Sequence, residues 1–119
     1  MSEHHHAVCD RPGTLAIALV EGREVARSTD PVVLREFAAT AYPPVVYFPP
    51  ADVDMTLLKR AQKTTTCPIK GTANYYQLAA DGNDEAEVAW TYEEPMAGVE
   101  AIRGHLAFYP DRIDVTIGD

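Results

Sequence analysis

The chain reads mostly in period two. Thr14 to Val20 is an apolar run rich in β-formers, and Glu24-Val25-Ala26-Arg27-Ser28 returns from it across Glu21-Gly22-Arg23, where the glycine can take positive φ. Asp30-Pro31 breaks the pattern; Val32 to Phe37 and Val45 to Phe48 resume it, the latter stopped by Pro49-Pro50. From Val53 to Lys63 the period changes. Val53, Leu57, Leu58 and Ala61 share one helical face, and Asp54 is placed to cap the N-terminus. Lys59, Arg60 and Lys63 load the last turn, where they suit the dipole, so the pattern predicts a short helix of about ten residues. Period two then returns. Gly71 to Ala80 and Glu85 to Tyr92 predict a hairpin around Asp81-Gly82-Asn83, and Ala97 to Arg103 one helical turn closed by Gly104. His105 to Tyr109 and Arg112 to Ile117 are two last strands. The expectation is a mainly β domain over 14–119 with about eight strands and one short helix, preceded by an unstructured lead over 1–13.

Composition narrows the function classes. A length of 119 residues is that of one domain, and 46% apolar with 24% charged residues is a globular balance. The net charge of −8 argues against nucleic acid, which needs a basic face. No apolar run approaches the ~18–20 residues of a membrane span. The N-terminus lacks a signal-peptide pattern, so the expected compartment is the cytoplasm. Cys9 and Cys67 make no CxxC pair, and His4, His5 and His6 in a polar lead read as a tag remnant or accident. No metal and no cofactor is expected, and monomer and homodimer both stay open.

Candidate chemistry gathers on the stretch Thr64 to Tyr76. Between Met55 and Ala80 there is no Asp or Glu, yet Lys59, Arg60, Lys63 and Lys70 are present, a local field that attracts carboxylates or phosphates. Nearby cations favour a thiolate, which makes Cys67 a candidate nucleophile or redox thiol. His105 stands outside the lead and is the natural proton carrier. Lys70 is the candidate anion clamp, Gly71 would let a ligand approach the backbone, and Thr65 offers a hydroxyl. Tyr47, Tyr76, Trp90 and Tyr92 supply rings to line a pocket, and Glu36, at the end of an apolar strand, is a candidate partner for Lys70 or His105. Each has a plainer reading: a packed thiol, a hydrogen-bonded histidine, a solvated lysine, core aromatics. The functional expectation is a pocket between the Cys67-Pro68-Ile69-Lys70-Gly71 loop and the aromatic strands, binding a small polar or anionic molecule. The alternatives are an enzyme using Cys67 and a non-catalytic interaction module.

Four stretches carry a resemblance. They are Val46-Tyr47-Phe48-Pro49 with Asp52-Val53; Thr65-x-Cys67-Pro68-x-Lys70-Gly71-Thr72-Ala73-x-Tyr75-Tyr76; Ala89-Trp90-Thr91-Tyr92-x-x-Pro95; and Ile102-x-Gly104-His105-x-Ala107-Phe108-Tyr109. Together they resemble the bacterial and fungal DUF427 domain over nearly all of 14–117. That family carries an aromatic residue between the Pro and the Lys, where this chain has Ile69. The resemblance implies two packed antiparallel sheets in an Mss4-like or β-tent arrangement. It also implies a nucleotidyltransferase-like label, for which no sequence pattern here speaks. Relatives of that arrangement bind zinc through cysteine pairs, which this chain lacks.

Overall fold

The computed structural model describes residues 6–38, 42–79 and 86–118. In chain order the strands are β1 (His6–Asp10), β2 (Ala16–Val20), β3 (Arg23–Ser28), β4 (Val32–Phe37), β5 (Val45–Tyr47), β6 (Leu58–Cys67), β7 (Gly71–Leu78), β8 (Glu87–Tyr92), β9 (Leu106–Phe108) and β10 (Asp114–Ile117). Short 3-10 turns lie at Pro50–Asp52, Met55–Leu57 and Glu100–Ile102. The strands form three antiparallel sheets, ordered β1-β4-β5, β10-β2-β3 and β6-β7-β8-β9. The first and third are stitched together just past β5, where Phe48 and Leu106 exchange backbone hydrogen bonds of 2.8 and 2.9 Å. Among the described residues no helix is long and apolar enough to cross a membrane.

Strand alternation sorts the apolar side chains into two cores. One gathers Ala16, Ala18 and Val25 of the β10-β2-β3 sheet with Phe48, Ala89 and Phe108. The other gathers Val32, Leu34 and Tyr47 of the first sheet with Ala73, Tyr75, Tyr92 and Ala107 of the third. The β6-to-β9 sheet therefore feeds both. Tyr75 and Ala107 turn to the second core, while their neighbours Tyr76 and Phe108 turn to the first.

The mainly β class, the β2–β3 and β7–β8 pairings and the turn at Glu100–Ile102 agree with the sequence pattern. Three features differ. The lead expected to be unstructured forms β1 from His6, in register with β4 and with Ala7 and Cys9 packed inward. Five residues in a polar context show too little pattern to be read without their partner strand.

The helix after Asp54 is replaced by a 3-10 turn and a strand. The Asp54 carboxylate does accept the Thr56 backbone N–H at 3.1 Å, but the turn ends at Leu57 and the chain extends into β6. A ten-residue helix is marginal in water, and the β-branched run Thr64-Thr65-Thr66 favours an extended chain once β7 offers a ladder. Lys59, Arg60 and Lys63 thus lie on an outer strand, not at a helix end. Lastly, the ladders close into three sheets, where two packed sheets and one helix were expected. The turn Asp81-Gly82-Asn83, Glu85, His4 and His5 lie outside the described residues.

Candidate functional site

The β6–β7 hairpin turns at Pro68-Ile69-Lys70. Cys67 lies opposite Gly71, and the Lys70 N–H donates to the Cys67 carbonyl at 3.3 Å. Gly71 has φ +112°, and a Cβ there would stand 3.1 Å from the Glu94 carbonyl oxygen. The Met96 N–H also donates to the Lys70 carbonyl at 3.0 Å. The space beside Gly71, expected to admit a ligand, is filled by the protein's own Glu94-Pro95-Met96 segment.

Lys70 turns inward. Its Nζ donates to Glu36 Oε1 at 3.0 Å, with the two side chains only 15% and 17% exposed, and it lies 5.7 Å from the centre of the Tyr92 ring. This ion pair ties the hairpin to β4. On β6, alternation sends Thr65 to the same inner side, where its hydroxyl shares a 2.7 Å hydrogen bond with the Tyr75 hydroxyl. Tyr92 is buried, and that burial, followed by the neighbouring Cys67, Tyr75 and Glu36, holds its phenol above the usual tyrosine range.

An aromatic layer adjoins this corner. Tyr47 is fully buried, and its hydroxyl accepts the Trp90 Nε1–H at 3.1 Å. The two rings meet edge to face at 6.3 Å, and Trp90 lies against Tyr109 at 4.7 Å. Burial raises the Tyr47 phenol too, while Tyr109 is pushed up to about 12 by burial and by the Tyr75 phenol beside it. Cys9 packs against the same core, and burial, with Asp10 and Glu100 nearby, pushes its thiol up.

The structure therefore joins Glu36, Lys70 and Tyr92 directly, with Thr65 and Cys67 on the same hairpin, and it joins Tyr47 to Trp90. Tyr76 belongs elsewhere: it packs on the other core with the Arg60 guanidinium 6.0 Å from its ring centre. Tyr75 takes the inward place instead. Alternation set Tyr75 on one side with Ala73, but only the register, in which Tyr75 is the cross-strand partner of Trp90, decided that this side is the inner one. His105 is engaged locally, its Nδ1 2.9 Å from the Arg103 carbonyl oxygen, and no contact among the described residues joins it to Cys67.

Of the expected cationic field, Arg60, Lys63 and Lys70 are compensated by glutamates from outside the run. Arg60 makes two hydrogen bonds of 2.7 and 3.2 Å to Glu93, whose carboxyl the guanidinium holds below the usual range. Lys63 reaches Glu87 at 3.4 Å. The acid-free run is a property of the linear sequence, which Glu36 of β4, Glu87 of β8 and Glu93 just after β8 offset by supplying carboxylates from outside it.

A groove opens on the other side of β4. Its volume is about 790 Å³, and its lining includes Val33 and Arg35 of β4, Val46 of β5, Val115 and Ile117 of β10, Trp90 of β8 and Phe108 of β9. Pro12, Pro43, Pro44 and Pro110 also line it, supplying stiff backbone. Of the residues nominated from sequence it takes Trp90 and Glu36. Val33, Arg35 and Val46 were missed, although the alternation of β4 sets Val33 and Arg35 opposite to Val32 and Leu34. Among the described residues no group of three or more His, Cys, Asp or Glu is arranged to hold a metal.

Residues 10–119 match the family described as a domain of unknown function, DUF427. No curated protein matches the chain.

Proposed function

The chain belongs to the DUF427 family, and from that premise we propose that it is a small-molecule-binding domain whose ligand occupies the groove between β4–β5 and β10. The observation that carries this reading is the groove itself: about 790 Å³, walled by valines and aromatic rings, with Arg35 and Glu36 the charged residues lining it. Drug-sized ligands occupy apolar clefts of roughly 300–1,000 Å³ that hold a few polar groups. The prolines on its lining favour a preformed shape, which reduces the ordering cost of binding. The Cys67-to-Gly71 loop is a weaker seat, because Lys70 is engaged by Glu36 and the backbone of residues 94–96 crowds Gly71.

Trp90 is the chain's one tryptophan, so its emission reports on the groove. A thermal-shift screen of apolar and amphipathic metabolites should give compounds that raise the melting temperature and change Trp90 fluorescence. Val46→Phe, which fills the groove, should abolish both responses, while Ile69→Ala in the β6–β7 turn should leave affinity unchanged. The opposite pattern, with binding lost in Ile69→Ala and kept in Val46→Phe, would return the site to the loop.

A further inference from the structure

We infer that the ligand of this groove is a carboxylic acid with an apolar body, its carboxylate held by Arg35. The inference rests on the binding-domain reading above and adds the chemical class. Two carboxyl- or guanidinium-bearing side chains belong to the lining, and they behave differently. The Glu36 carboxylate reaches the Lys70 ammonium at 3.0 Å, on the same side of β4 as Val32 and Leu34, so its charge is matched by a cation inside the protein. Arg35 is one residue away and turns to the opposite side, with Val33. The guanidinium presented to the groove is therefore that of Arg35, which is itself paired with Asp10 of β1.

Arg35 spends one donor on the protein: its Nε bonds Asp10 Oδ2 at 3.1 Å. Its terminal amino groups meet no acceptor among the described residues, and the side chain is 51% exposed. A guanidinium held through Nε is oriented, and its remaining donors form a planar fork that fits a carboxylate with two parallel hydrogen bonds. The lining also includes Val33, Val46, Val115 and Phe108, which favour an apolar body and themselves carry no charge. An apolar groove with one oriented, half-exposed guanidinium on its wall is complementary to an amphipathic acid. A dicarboxylate or a sugar phosphate would leave its second polar group against valines.

The test uses the full chain and two matched pairs, naphthalene-2-acetic acid with its primary amide and decanoic acid with its primary amide, titrated calorimetrically at neutral pH. The acids should bind at least tenfold more tightly than the amides, and added salt should narrow the gap. Arg35→Gln should erase the gap while leaving amide affinity unchanged, and Asp10→Asn, which removes the competing carboxylate, should widen it. Equal affinity of acid and amide overturns the assignment while the binding-domain reading stands, as does a gap that survives Arg35→Gln. If neither pair binds and the thermal screen also yields nothing, the reading and this inference fall together.

Discussion

Gly71 shows how one residue can mislead when its neighbours in space are unknown. A glycine after a Lys in a turn invites the idea of close ligand approach, yet here the backbone of Glu94 to Met96 makes that approach, and φ of +112° excludes ordinary side chains. Gly71→Ala should destabilise the fold by about 2 kcal/mol, through the left-handed backbone and the crowded Cβ together. A urea titration is the check, and a variant as stable as the parent would mean that the hairpin relaxes freely. Tyr75 and Tyr76 make the same point about direction. Period two states that they face opposite sides, but which side holds Trp90 and Tyr92 depends on the register with β8.

At the scale of elements, the informative contact is Lys70 with Glu36, which fastens the β6–β7 hairpin to β4 across 34 residues of chain. Both side chains are mostly withdrawn from water, so removing one partner leaves the other charged and poorly solvated. Lys70→Met should cost about 3 kcal/mol in denaturant unfolding, and adding Glu36→Gln should restore a large part of that loss. A double variant whose loss equals the sum of the two single losses would show that the pair is not coupled. The exchange of a predicted helix for β6 also belongs to this scale. Asp54 caps as expected, but a cap starts a turn and does not sustain a helix. The continuation was decided by a ladder from Leu58↔Leu78 to Cys67↔Gly71, interrupted by a shift after Arg60, which local spacing cannot express.

For the whole molecule, the two cores and the tyrosines sealed in one of them set the response to alkali. Tyr47 and Tyr92 are buried with raised phenol pKa values, and Tyr109 is raised to about 12, against about 10 for tyrosine in an unfolded chain. Above pH about 10 the unfolded chain therefore releases protons that the folded chain retains. Fewer protons bound in the unfolded state make stability fall as pH rises. The stability is fully present below about pH 10 and is lost progressively toward pH 12 and beyond. Tyrosinate absorbance and the β signal in circular dichroism should change together over that window. Full ionisation of the tyrosines near pH 10 with the sheets intact would contradict the burial.

The amino-acid order by itself determined what depends on neighbours along the chain: period-two strands, the turns at Gly22 and Gly104, the cap at Asp54, and the aromatic character of β7 and β8. Those features follow from local sterics and from which side chains water excludes, and both act over a few residues. Only the tertiary structure decided that residues 6–10 become a strand, that three sheets form, and that Arg60, Lys63 and Lys70 meet glutamates distant in the chain. It alone opened the groove beside Arg35, because strand pairing, ion pairing and enclosure join groups tens of residues apart.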